Sequence, residues 1–151
     1  MLNYVRYLTG NHILNAAIIS WALAQVLKIF TEFYRSKKIV WTRLIGAGGM
    51  PSSHTAFVVA MATSVGKVCS VYSPEFAIAL CITLVVMYDA AGVRRAAGEQ
   101  AKVLNYMMDH WKNFSTTSPE MFENDLKELL GHTPLQVLMG AILGLGVGLI
   151  V

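Results

Sequence analysis

The sequence Gly-Gly-Met-Pro-Ser-Ser-His (residues 48–54) begins one long apolar run, and Gly-His-Thr-Pro-Leu-Gln (residues 131–136) begins another. Each stretch places a histidine beside small hydroxyl residues and a proline, where a membrane helix would start. The first turn of a helix exposes unpaired N–H groups and the positive end of the helix dipole, which favour a bound anion. The two stretches therefore predict phosphate chemistry at one face of a membrane.

The composition predicts one integral membrane domain, residues 1–151. Of these residues 55% are hydrophobic and only 14% are charged, which is too apolar for an ordinary soluble domain. No basic run is interleaved with aromatic residues, so nucleic acid is not an expected partner. Cys69 and Cys81 lie in apolar stretches without a metal-binding spacing and are expected to be small buried side chains.

Four apolar segments are long enough to be membrane helices, since a hydrocarbon core of about 30 Å needs roughly 20 helical residues. They cover about residues 12–34, 54–72, 74–91 and 133–151. The short connection between the second and third predicts an antiparallel hairpin. Gly92 to about Trp111 is typical of an amphipathic helix at the membrane surface, residues 113–119 break the pattern, and residues 120–130 predict a short acidic helix. The predicted fold is an all-α, polytopic membrane bundle with about four transmembrane helices and one interfacial helix.

Four crossings bring the end of span one, the start of span two, the end of span three and the start of span four to one side. Ten of the twelve basic residues lie on that side, and only Arg6 and Lys67 lie opposite. Basic residues accumulate on the cytoplasmic side of membrane proteins. The face that carries both histidines is therefore predicted to be cytoplasmic.

Two histidines at helix starts on one face can divide the work of phosphoryl transfer. One imidazole can attack phosphorus while the other donates a proton to the leaving oxygen, because imidazole titrates near neutral pH. Ser52 and Ser53 can cap the helix that follows, and the same turn can bind phosphate. Thr133 and Gln136 have the spacing of a capping box, so Gln136 either only caps the helix or also acts on His132.

Asp89 ends the third apolar run and is followed closely by Arg94 and Arg95. An ionisable residue at that depth is a candidate for function, although a structural ion pair would also explain it. The arginines can be ordinary anchors on the basic side, or they can bind phosphate oxygens through the two-pronged guanidinium group. We expect at least one of them to bind substrate.

Gly140, Gly144 and Gly148 form a stripe of small residues along the last span. Close helix packing explains the stripe, either within the chain or across a homodimer. The sequence has no cluster of metal ligands, so neither a metal nor another cofactor is expected.

These motifs resemble the type 2 phosphatidic acid phosphatase and vanadium haloperoxidase superfamily, and most closely its divergent bacterial and plant membrane branch. The resemblance covers most of the chain and rests on five blocks: residues 24–28, 49–54, 88–95, 97–101 and 127–134. It implies a bacterial inner-membrane enzyme that hydrolyses a prenyl or diacylglycerol type of lipid phosphate through a phosphohistidine, without a metal.

The resemblance also implies individual roles. His132 corresponds to the nucleophile and His54 to the general acid, while Arg43 corresponds to the arginine of the first motif. The lysine of that motif is Lys28, Lys37 or Lys38. Gln136 stands where the superfamily has an aspartate that orients the nucleophile, and Leu126 stands where it has an arginine; Asp89 with Arg94 or Arg95 is predicted to take over these two tasks.

Hydrolysis of a lipid phosphate is therefore the leading hypothesis, with membrane lipids and a phosphorylated lipid as the expected partners. A protein that binds or transports phosphorylated lipids without turnover is the first alternative. A structural protein that docks partners through its glycine stripe and loops is the second.

Overall fold

A computed structural model of the chain describes residues 10–37, 49–112 and 132–151. These residues contain no strand and form five α-helices: α1 (His12–Ser36), α2 (Ser53–Cys69), α3 (Pro74–Ala91), α4 (Val93–Lys112) and α5 (Pro134–Ile150). The all-helical prediction is confirmed, and α1, α2, α3 and α5 follow the four predicted spans closely. The predicted break at residues 113–119 and acidic helix at 120–130 lie outside the described residues.

Short polar side chains begin the helices, as the sequence predicts. The Asn11 side chain accepts the N–H groups of Ile13 and Leu14 at the start of α1. Ser52 caps α2 and Ser73 caps α3. Thr133 and Gln136 form the predicted capping box at the start of α5, with Pro134 in the first turn. Each cap satisfies N–H groups that the helix itself leaves unpaired, so the caps set where each span starts.

Three helices, α1, α3 and α5, pack around α2, and hydrogen bonds between side chains and backbone give the directions of α1 and α3. Ser20 donates to the carbonyl of Ala56 at 3.0 Å and Thr31 donates to that of Met50 at 2.6 Å, so α1 and α2 are antiparallel. Thr83 donates to the carbonyl of Val58 at 3.0 Å, and this bond links α3 to α2, the two helices of the predicted hairpin.

The helix α5 runs parallel to α2, because Gly140 lies beside the start of α2 and Gly148 lies beside Thr63, near its other end. The end of α1, the start of α2, the end of α3 and the start of α5 consequently share one end of the bundle. This is the arrangement that four crossings predict. We call it the site end.

The glycine stripe is used within the chain. A Cβ atom on Gly144 would lie 2.5 Å from the carbonyl oxygen of Ala56, and one on Gly148 would lie 2.7 Å from the Cβ of Thr63. A Cβ on Gly140 would collide with the carbonyl oxygen of Ser52. The face proposed for a homodimer is therefore occupied by α2 of the same chain. A homodimer stays a prediction, and it would need another face.

Small residues fill the interior of the bundle and large ones cover its outside. Every buried hydrophobic side chain in the described residues is alanine or valine. Large apolar side chains such as Phe30, Leu84 and Ile142 are exposed. A soluble domain buries its leucine, isoleucine and phenylalanine, whereas membrane bundles place small residues between helices and large ones against lipid. The predicted burial of Cys69 and Cys81 is wrong, since both lie on the exposed surface.

Length and hydropathy support the same environment. Two helical runs, His12–Tyr34 and Pro74–Met108, are long and apolar enough to cross a membrane, and Pro134–Ile150 is a shorter apolar helix. Lys67, at the end of the bundle opposite the site end, donates to the carbonyl of Leu149 at 2.8 Å. Its charge satisfies an oxygen at the end of α5 that the helix leaves unpaired.

The glycine contacts predict a sharp difference between two substitutions on α5. Gly144→Ala should destabilise the protein by about 1 to 3 kcal/mol, the usual cost of overpacking, because its Cβ has no room against α2. Gly146→Ala is the matched control, since a Cβ there meets nothing within 4 Å. Unfolding of both variants in detergent measures the difference. Equal stability of the two would contradict the packing described.

Candidate functional site

A buried lysine meets the start of α2 at the site end. Lys28 is 2% exposed and Ser53 is 1% exposed, and the Lys28 Nζ donates to the Ser53 Oγ at 2.9 Å. Lysine is almost never fully buried unless it is paired, and an ionisable residue inside a membrane bundle marks a functional site by default. The bond joins α1 to the predicted phosphate-binding turn. Lys28, one of the three lysines considered for the first motif, makes this contact.

The turn that precedes α2 is held from both sides. Thr31 on α1 binds the carbonyl of Met50, and the Ser52 N–H donates to the carbonyl of Gln136 on α5 at 3.0 Å. Gly49 adopts φ +86°, a left-handed conformation that side chains rarely tolerate. A Cβ at Gly49 would lie 3.5 Å from the Lys28 Cγ, so this backbone covers the stem of the lysine. The turn is thereby fixed against both neighbouring helices.

His132 lies just before α5 and is buried, with 5% of its surface exposed. Its backbone N–H donates to the carbonyl of Ala90 at 3.1 Å, which ties it to the last turn of α3. Its ring nitrogen Nδ1 lies 3.1 Å from the Gln136 Oε1. The histidine is therefore held by two helices at once.

Gln136 caps α5 and its side chain also contacts the His132 ring, so a role in orienting His132 is compatible with its role as a cap and stays a prediction. Its Oε1 accepts the Thr133 N–H at 3.1 Å, so the atom that faces the ring is an acceptor. The Nδ1 of His132 must then donate, because an amide oxygen carries no proton. In the neutral ring the proton on Nδ1 leaves a lone pair on Nε2, which is the atom that can attack phosphorus.

His54 lies in the first turn of α2 and its side chain is exposed. It lines a pocket together with Trp21 of α1 and Val86 of α3. His132 is bonded to Ala90, one helical turn beyond Val86 on the same helix α3, or about 6 Å along its axis. The two histidines therefore border neighbouring turns of α3, although His54 points away from the face of α2 that packs on α5.

The remaining predicted residues fall in three groups. Asp89 is half-buried in the last turn of α3, next to the residue whose carbonyl binds His132. Arg94 and Arg95 belong to the first turn of α4, and the structure describes their backbone but not their side chains. Arg43 lies outside the described residues, as does Lys38. That Asp89 with Arg94 or Arg95 takes over the two tasks stays a prediction, and the Nδ1 of His132 itself lies against Gln136.

Cations and helix starts surround the site end. Lys28 contributes a buried ammonium group, and the starts of α2 and α5 bring two helix dipoles to the same place with their positive ends. This combination suits a phosphate group. Within residues 10–37, 49–112 and 132–151 no group of three or more His, Cys, Asp or Glu could hold a metal ion. A mechanism without a metal stays a prediction.

Comparison with known proteins places the chain in a family. The model of the family described as "Divergent PAP2 family" matches residues 9–147. The chain belongs to the Divergent PAP2 family. It is also 39% identical over 137 residues to the uncharacterized membrane protein YuiD of Bacillus subtilis (strain 168), an alignment covering 86% of this chain and 85% of the relative. No solved structure matches the chain.

Family membership confirms the resemblance stated from the motifs, and the matched residues include α1 to α4 and all but the last three residues of α5. Together with the apolar exterior of the bundle and the relative's description as a membrane protein, it shows that this Divergent PAP2 chain is a membrane protein.

Two residues at the site were missed by sequence reasoning. Thr31 fixes the turn before α2, and its signal was present, since it follows Lys28 by three positions on the same helical face. Trp21 lines the pocket of His54, and an isolated apolar residue in an apolar helix carries no comparable signal.

The geometry around Gln136 predicts the tautomer of His132. With selectively ¹⁵N-labelled histidine, the NMR shifts of His132 should report a proton on Nδ1 in the unmodified protein, and Gln136→Leu should remove that preference. Thr133→Ala is the control, because it removes the hydroxyl that caps the Gln136 N–H but keeps the Gln136 side chain. A ring protonated only on Nε2 in the unmodified protein would contradict the assignment.

Proposed function

We propose that this protein is a membrane phosphatase that hydrolyses a lipid phosphate of the prenyl or diacylglycerol type. One observation carries the proposal: the His132 ring is buried at the start of α5, and the amide of Gln136 holds it with Nε2 as the basic nitrogen. Membership of the Divergent PAP2 family supports a role related to phosphatases.

In the proposed reaction, the His132 Nε2 attacks phosphorus and the bond to the lipid oxygen breaks. His54 gives a proton to that oxygen as the lipid alcohol leaves. Water then attacks the phosphohistidine, His54 accepts a proton from the water, and inorganic phosphate is released. Charge on the phosphoryl oxygens is neutralised by Lys28 and by the N–H groups at the starts of α2 and α5.

Gln136 has a consequence for the rate. A neutral amide orients the ring as a carboxylate would, but it stabilises the imidazolium less, so attack by His132 is weaker than with an aspartate. Arg43, Arg94 and Arg95 are proposed to add positive charge around the phosphate, and Asp89 is proposed to pair with one of the two arginines of α4 or with a histidine. Ser52 and Ser53 are proposed to hold the phosphate-binding turn.

The site end is proposed to face the cytoplasm. Arg6 and Lys67 are the only basic residues assigned to the opposite side, and Lys67 lies at that opposite end of the bundle. Thiol labelling of a cysteine placed at Lys37, in a chain with Cys69→Ser and Cys81→Ser and with reagents that do not cross the membrane, reports the side. Labelling from outside intact cells would contradict this orientation.

Replacement of the nucleophile tests the proposal most directly. Purified protein should release phosphate from a prenyl or diacylglycerol phosphate in the presence of EDTA, and His132→Ala should reduce kcat by about a thousandfold or more. His12→Ala is the control, because His12 begins α1 at the opposite end of the bundle. Phosphate release that His132→Ala leaves intact would contradict the mechanism.

The role of His54 predicts a dependence on the leaving group. His54→Gln should lower kcat for an alkyl phosphate by about 10² to 10⁴, the usual range for a general acid, and much less for p-nitrophenyl phosphate. The phenolate leaves without protonation, so it does not need the acid. An equal loss with both substrates would show that His54 does not protonate the leaving oxygen.

A protein that binds or transports phosphorylated lipids without turnover is the second candidate. The neutral Gln136 favours it, since an anion site does not need an activated nucleophile. This candidate predicts lipid phosphate binding that His132→Ala largely preserves and no release of phosphate. Equilibrium binding of both proteins, measured beside the phosphate assay, separates the two functions.

A further inference from the structure

An apolar pocket of about 330 Å³ opens between α1, α2 and α3. The described residues that line it are Trp21, His54, Phe57, Val58 and Val86, and His54 is the ionisable side chain among these five. The reaction proposed above uses His54 but none of the four apolar residues.

The pocket lies directly below the site end. His54 is in the first turn of α2, and Phe57 and Val58 are one turn deeper. The residue before His54 is Ser53, which binds the Lys28 ammonium group. A molecule that fills this pocket therefore meets apolar side chains deeper in the bundle and the imidazole of His54, a proton donor, at its upper edge. That gradient complements an amphiphile with an anionic head.

We propose that this pocket holds the hydrocarbon chain next to the phosphate of the lipid substrate, an inference that rests on the proposed function. Its volume lies at the lower end of the roughly 300 to 1,000 Å³ of small-molecule sites, so it accommodates part of one chain. Trp21 is 43% exposed on the outer surface of the bundle, and the chain enters there from the bilayer.

A second groove, of about 490 Å³, fits this role less well. It lies between α1 and α5, and Phe30, Tyr34 and Leu135 form much of its wall. Glu32 also lines it, and a carboxylate repels a phosphate head. It adjoins Gln136 and does not include His54, so a lipid there would have its leaving oxygen away from the proposed acid.

Fluorescence of Trp21 measures occupancy of the pocket without any need for hydrolysis. Trp41→Phe and Trp111→Phe leave Trp21 as the single tryptophan of the full chain. The probe is dodecyl phosphate brominated on the carbons nearest the phosphate, titrated in detergent micelles, with brominated dodecanol as the reference. We expect saturable quenching by the phosphate and weak, linear quenching by the alcohol. Equal quenching by both would show only partition into micelles and would overturn the proposal.

Two adjacent residues of α3 supply a matched pair of variants. Val86→Phe fills the pocket and should raise the half-saturation concentration for quenching by about tenfold, within the range for one misplaced hydrophobic group. Val85→Phe adds the same ring at a position that is 68% exposed and does not line the pocket, so quenching should be unchanged. The same effect from both variants would overturn the proposal.

Val86→Ala and Val85→Ala repeat the comparison with substitutions that remove volume, in case the larger ring prevents folding. Val86→Ala should weaken binding severalfold, and equal binding by the two would again overturn the proposal.

Phosphate release, measured on the same variants, separates this inference from the proposed function. Quenching that depends on Val86, without phosphate release by any variant, supports the pocket and removes the hydrolytic function. If Val86→Phe releases phosphate from a long-chain substrate as fast as the unmodified protein does, the hydrolytic function is supported and the pocket proposal is overturned.

Discussion

The contact between α2 and α5 is the constraint on which the rest of the structure depends. Three glycines four residues apart let the two backbones approach so closely that a single methyl group has no room. The hydrophobic effect does not drive apolar helices together inside a bilayer, so van der Waals packing between small residues must hold them together. The parallel pair places the start of α2, with Ser52 and Ser53, beside the start of α5, with Gln136. Everything at the site end follows from that alignment.

Polar groups that are costly in a membrane gather at the same end. Lys28 and His132 are both buried, and each has a partner that belongs to another segment of the chain or to a helix cap. Burying a charged group costs several kcal/mol unless other groups compensate it, so the buried ammonium group makes this end of the bundle a candidate for function. The phosphate of the proposed substrate would bring a negative charge to the same end.

Gln136 shows how one side chain can combine two tasks. Its oxygen closes the cap of α5 and holds the proton on the Nδ1 of His132, so cap geometry and tautomer are coupled. An amide at this position keeps the orientation of the proposed nucleophile and lacks the negative charge that would stabilise its protonated form.

The sequence by itself determined the helices and their directions. The lengths of the apolar runs, the caps at Ser52 and Thr133 and the short turn before Pro74 are local signals. Because the chain crosses the membrane four times, these signals also determine which helix ends lie on the same side. It also singled out His54, His132 and Lys28 as candidates, because ionisable residues stand out in an apolar chain. Only the tertiary structure decided which side chains meet. Three contacts depend on how each helix is rotated about its axis: Lys28 with Ser53, Gln136 with His132, and the glycine face with α2 of the same chain. Packing between side chains of distant segments sets this rotation, so no local sequence pattern encodes it.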